Sequence, residues 1–207
     1  MFKNQTLDEF LTELSSRNPT PGGGSASGLA AAMGIALVEM VANVVGARDE
    51  AEKTRLEPFV SACEASREEF TSMMDRDSAA FEGYMTAVKL SKATEEEKSI
   101  RRAAMQEALK QSTEVPLGLA RRVCEFAQLL SEAFQGAPKD IASDLYVGAS
   151  MLEAALEGGI ANVYVNLAYL RDPDYKNQIQ VAIRQCETGR TVLGSFKQSI
   201  GSLLAIP

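Results

Sequence analysis

Thr20-Pro-Gly-Gly-Gly-Ser25 runs straight into Ala26-Ser-Gly-Leu-Ala30-Ala-Ala-Met-Gly34-Ile-Ala36, and the apolar stretch continues to Gly46. Pro21 stiffens the approach, and three adjacent glycines admit backbone conformations closed to other residues. Ser25 stands where a helix N-cap is expected, and Gly46 is a plausible residue just past the end. Such a turn leaves the first N–H groups of a helix without carbonyl partners, an arrangement suited to an anion or a polarised carbonyl. The dense small residues let neighbouring helices approach closely. The segment therefore reads as a central buried helix with a ligand-facing end. No Gly-Lys-Ser/Thr follows, so it is not a P-loop. The glycines are adjacent and no apolar strand precedes them, so it is not a dinucleotide fingerprint.

The flanks are helical too. Thr6-Leu-Asp-Glu9 forms a capping box ahead of Phe10, Leu11 and Leu14, and Pro19 closes that short helix. From Glu50 to Val88, Phe59, Cys63, Phe70, Met73 and Met74 recur at helical spacing, with Pro58 in the first turns. Asp77, Phe81 and Tyr84 follow at i, i+4 and i+7 and share one face. An acid on an aromatic face must be paired, hydrogen-bonded or functional.

After a break at Leu90–Ala93, Thr94-Glu-Glu-Glu97 opens a helix that Pro116 is expected to kink and Gly136-Ala-Pro138 to end. Asp140 to Leu170 is Ala/Leu-rich, interrupted by Gly158-Gly159, with Asn162, Asn166 and Tyr169 on one stripe. Amides in such a place ordinarily satisfy backbone groups. If this helix is continuous, Asp144 and Asn162 lie about 27 Å apart and cannot meet at one site in one chain. Asp172-Pro-Asp174 turns into a last helix reaching Leu203. No stretch alternates with period two. These patterns predict a single all-α domain over residues 1–207, a bundle of five to six long, mostly antiparallel helices, some of them kinked.

Composition bounds the function. The 207 residues are 45% hydrophobic with a formal net charge of -7, and Lys and Arg form no cluster, which argues against nucleic acid as a partner. Cys63, Cys124 and Cys186 lie far apart without metal-ligand spacing, so reduced thiols and a cytoplasmic location are expected. The N-terminus is polar, without a signal peptide. Glu39 and Asn43 within the apolar run point to a core helix rather than a membrane span. The chain has no histidine, which removes histidine triads and histidine-bound zinc. Proton transfer then falls to carboxylates, Lys, Cys or Tyr.

Four stretches, in order, resemble the cyclodeaminase/cyclohydrolase family, which comprises the C-terminal domain of formiminotransferase-cyclodeaminase and stand-alone methenyltetrahydrofolate cyclohydrolases. They are Thr20–Ser25 with its helix; Asp77-Ser-Ala-Ala-Phe81; Lys92–Lys98 leading to Val115-Pro-Leu117; and Ser143-Asp144 with Ala155-Leu156 and Asn162-Val163. The resemblance covers residues 5 to 190. It implies an all-helical homodimer acting on tetrahydrofolate one-carbon units, with no metal and no cofactor beyond the tetrahydrofolate derivative that is its substrate. It implies Asp77 and Asp144 in acid/base work or in holding the pterin, and Lys92 in orienting the leaving group or stabilising charge. Gly22, Gly23, Gly24 and Ser25 would bind ligand through backbone N–H groups, with Arg48 and Asn162 as further contacts. The family's usual Lys cluster after the central helix is replaced by Gly46-Ala-Arg-Asp-Glu50, which leaves Arg48 as the one cation there.

The expected reaction is hydrolysis of 5,10-methenyltetrahydrofolate to 10-formyltetrahydrofolate, favoured because no formiminotransferase domain is attached. The alternatives are deamination of formiminotetrahydrofolate and a non-catalytic helical dimer.

Overall fold

The computed structural model describes residues 1–206 as six α-helices. They are α1 (Leu7–Leu14), α2 (Gly23–Arg48), α3 (Glu50–Val88), α4 (Glu95–Ala133), α5 (Ala142–Tyr169) and α6 (Pro173–Leu204), with single 3-10 turns at Phe2–Asn4 and Lys139–Ile141. Among the described residues there is no strand. The bundle expected from the sequence is the bundle observed: five long helices and one short one.

Both expected capping boxes form. Thr6 accepts from the Glu9 N–H and Thr94 from the Glu97 N–H, each with the glutamate reaching back. The ends of α2 differ from expectation. Its N-cap is Gly22, and Ser25 sits inside the first turn, where a contact with α3 takes its side chain. Gly46 does not end the helix, which continues to Arg48. Asp49 alone then joins α2 to α3, accepting from the Ala51 N–H as the N-cap of α3. A one-residue joint makes α2 and α3 antiparallel neighbours.

α2 packs against both α3 and α5; α4 closes the opposite side, and α6 lies across α4 and α5. Small residues set these distances. A Cβ on Gly34 would stand 2.9 Å from the Gly148 carbonyl, and one on Gly148 would stand 2.6 Å from Val38. At the far end Phe59 lies 5.5 Å from Phe126 and 5.4 Å from Phe134, edge-on to the latter. Gly158 and Gly159, expected to interrupt α5, lie inside a continuous helix. They serve contact instead: a Cβ on Gly159 would press the Pro116 carbonyl at 3.0 Å. Pro58 and Pro116 likewise lie within unbroken helices.

α2 is apolar round most of its surface, with Glu39 and Asn43 as polar exceptions in its second half. Its best 18-residue window has a mean hydropathy of 1.9, long and apolar enough to cross a membrane, yet one face is packed in the bundle. The outer face leaves Met33, Met40 and Val44 at 45%, 40% and 37% exposure.

Candidate active site

Four helices meet around a cavity of about 510 Å³ at the start of α2, a size suited to a small organic ligand. α2 contributes Gly22, Gly23 and Gly24, approached through Pro19 and Thr20, with a cis peptide between Thr20 and Pro21. α3 contributes Asp77, Phe81 and Tyr84, the face foreseen from their spacing. α4 supplies Ser112 and Pro116, and α5 supplies Asn162, Val165, Asn166 and Tyr169.

Asp77 is tied to the helix start. Its Oδ2 accepts the Ser25 N–H at 3.0 Å and lies 3.2 Å from the Ser25 hydroxyl, which also reaches the Met74 carbonyl at 2.9 Å and Ser78 Oγ at 3.3 Å. Gly24 permits this approach: a Cβ there would stand 2.0 Å from Asp77 Oδ1. Burial pushes the Asp77 carboxyl above its ordinary range, and the hydrogen bonds from Ser25 pull it only part of the way back. A carboxyl so shifted accepts and returns a proton more readily near neutrality than an exposed one. It is also the only Asp, Glu, Lys or Arg lining the cavity among the described residues. As the first two residues of α2, Gly23 and Gly24 carry N–H groups with no carbonyl one turn back to accept them.

The family model described as formiminotransferase-cyclodeaminase matches residues 6–185. The chain belongs to this family. It is 38% identical to the methenyltetrahydrofolate cyclohydrolase of Methylorubrum extorquens over 174 residues, 83% of this chain and 84% of that one. It is 36% identical to the pig formimidoyltransferase-cyclodeaminase over 182 residues, 87% of this chain but only 34% of that much longer protein. The crystal structure of formiminotetrahydrofolate cyclodeaminase from Thermotoga maritima superposes with a TM-score of 0.83 at 27% identity, covering 99% of this chain and 98% of the other.

In this member of the formiminotransferase-cyclodeaminase family the residues singled out in the sequence divide into groups. Gly22, Gly23, Gly24, Asp77 and Asn162 line the cavity, with Ser25 directly behind. Arg48 lies at the other end of α2, about 38 Å along the axis from Gly23, in an exposed pair with Asp140. Asp144 is in the first turn of α5. Because α5 is continuous to Tyr169, Asp144 stays about 27 Å from Asn162. Lys92 is exposed on the connection between α3 and α4 and is not part of the cavity wall. Within one chain, then, the fold gathers the glycine turn, Asp77 and Asn162, and leaves Arg48, Asp144 and Lys92 elsewhere.

Ser112 escaped the sequence reading. Pro116 offers no N–H to the carbonyl four residues earlier, and the Asn166 side chain donates to that carbonyl, Ser112 O, at 2.9 Å. The Ser112 hydroxyl donates in turn to Ala80 O at 3.1 Å, which fastens α4 to α3 beside Asp77. The position of Pro116 was the available signal. Tyr175, outside the cavity, has its hydroxyl pKa pushed up by burial and by Glu114, whose Oε1 accepts a hydrogen bond from it at 2.7 Å.

Proposed function

We propose that this protein hydrolyses 5,10-methenyltetrahydrofolate to 10-formyltetrahydrofolate. The observation that carries the reading is a single half-buried carboxyl, Asp77, as the one charged group on the wall of a cavity that also holds the open first turn of a helix. The methenyl carbon of the substrate shares a positive charge with the two nitrogens it bridges, so a lone carboxylate is the right electrostatic partner. Water adds to that carbon and its proton passes to Asp77. The hydroxyl of the resulting tetrahedral carbon loses its proton as the C=O forms. The bond to nitrogen 5 breaks, and that nitrogen takes the proton held by Asp77. One proton is released overall. The N–H groups of Gly23 and Gly24 meet the oxygen as its negative charge develops. Side chains, backbone and water suffice for each step.

Similarity to the Methylorubrum extorquens cyclohydrolase over most of both chains supports this choice. The second reading, closure of formiminotetrahydrofolate with loss of ammonia, draws on the Thermotoga maritima match; there Asp77 would protonate the departing amine. The deciding experiment follows the near-ultraviolet absorbance of 5,10-methenyltetrahydrofolate with wild-type protein and with Asp77→Asn, in a buffer where spontaneous opening is slow. Accelerated decay lost in the variant supports hydrolysis. No acceleration, with ammonia released from formiminotetrahydrofolate, supports the second reading.

The exposed apolar face of α2 further supports association of two copies, with Met33 and Met40 in the contact.

A further inference from the structure

Asn162 and Asn166 stand one helical turn apart on α5, and both line the cavity. An amide has two N–H donors and an accepting oxygen, and in both residues the protein backbone takes one of the donors. Asn162 Nδ2 donates to the Gly158 carbonyl at 2.8 Å, and Asn166 Nδ2 to the Ser112 carbonyl at 2.9 Å. Each side chain is thereby held in one orientation, and its Oδ1 points away from the bond that fixes it. Neither oxygen accepts a hydrogen bond among the described residues, and neither is buried out of reach. Asp77 adds a third oxygen of this kind: Ser25 occupies Oδ2, while Oδ1 has no donor. The α3 and α5 walls thus offer three acceptors, with no lysine or arginine among the lining residues.

Unpaired acceptor oxygens at fixed positions favour a ligand that brings donors to them. A ligand presenting carbonyl oxygens to the two Asn Oδ1 atoms would leave both of them desolvated and unpaired. The tetrahydropterin ring has such an edge in its 2-amino group and the ring N–H groups beside it. We propose that the Asn162 and Asn166 carbonyl oxygens accept from the 2-amino edge of the pterin and so determine which heterocycle the cavity admits. The inference rests on the folate reading above. It adds the direction in which the ring enters: 2-amino edge toward Asn162 and Asn166 on α5, one-carbon bridge toward Asp77 on α3. Asn162 and Asn166 are specificity residues in this scheme and take no part in bond making.

The test changes ligand and protein together. Binding of 5-formyltetrahydrofolate, a stable probe, and of its 2-deamino counterpart is measured by calorimetry for wild type, Asn162→Ala and Asn166→Ala. Wild type is expected to prefer the 2-amino ligand about 10- to 100-fold, the range for a site that loses a hydrogen-bond partner. Each variant is expected to reduce that preference at least fivefold. A merely structural amide would weaken both ligands equally and leave the ratio alone. Asn166→Ala also strands the Ser112 carbonyl, whereas Asn162→Ala removes only a bond within its own helix, so the latter keeps the test valid if the former unfolds. An unchanged ratio in a folded Asn162→Ala, with both ligands still bound, overturns the inference and leaves the folate reading standing. Failure of wild type to bind either ligand overturns both.

Discussion

Gly24→Ala tests whether the packing of α2 against α3 creates the chemistry. The added Cβ would stand 2.0 Å from Asp77 Oδ1, 2.4 Å from Cγ and 2.7 Å from Oδ2, where ordinary contact begins at 3.4 Å. The carboxyl must therefore retreat by 3.4 − 2.0 = 1.4 Å, or α2 must shift away from α3 by a comparable distance. Asp77 is held by the Ser25 N–H one residue further along α2, so moving either partner stretches the bond that positions the carboxyl. A displacement of this size costs about 100-fold in turnover, and overpacking costs about 1–3 kcal/mol of stability. Gly83→Ala is the control on α3: nothing lies within 4 Å of its added Cβ, so it should gain about 0.5–1 kcal/mol from helix propensity alone and keep full activity. The assay pairs decay of 5,10-methenyltetrahydrofolate absorbance with a thermal melt. A Gly24→Ala protein with wild-type turnover and an unchanged melting temperature would refute the reasoning, because the predicted collision would then not exist.

Asp77→Asn should lose about 100- to 10,000-fold in turnover, the usual range for a positioned acid or base, and should melt no lower at neutral pH. The sign follows from burial. The folded carboxyl holds its proton above the unfolded value, so this group lets stability fall as pH rises through the interval between the two, and the amide removes that slope; a lower melting temperature at pH 7 would contradict it. Ser25→Ala removes a hydrogen bond that lowers the Asp77 pKa, so the acidic limb of the pH–rate profile should move to higher pH; a shift downward would show that the Ser25 hydroxyl does not hold the carboxyl down. Lys92→Ala, on an exposed connection away from the cavity, should leave turnover within about twofold and stability within about 0.5 kcal/mol, by rate assay and melt. Met40→Glu, on the outer face of α2, should reduce the mass by light scattering to that of one chain without loss of helicity; a wild-type protein already monomeric at micromolar concentration would refute the contact.

Local sequence determined the helices of this protein. Thr6 and Thr94 with their glutamates set two starts, and the 3.6-residue spacing of Phe59, Cys63 and Phe70 set a buried face, because capping and amphipathicity act over four or five residues. The same periodicity placed Asp77, Phe81 and Tyr84 on one side of α3, and the glycine triplet marked a helix start worth approaching. Glycines further along the helices misled local reading. Gly46 and the Gly158–Gly159 pair read as helix ends or breaks, yet they lie inside helices where a neighbour needs the space. Ser25 read as a cap, but its side chain belongs to α3. Whether two residues share a site depends on the distance between helices and on helix length. A rise of 1.5 Å per residue carries Arg48 and Asp144 to the far end of the bundle, however close their motifs lie in the order of the chain. Only tertiary packing turned Asp77 onto the first turn of α2, bound Asn166 to the carbonyl that Pro116 leaves free, and enclosed the cavity between them.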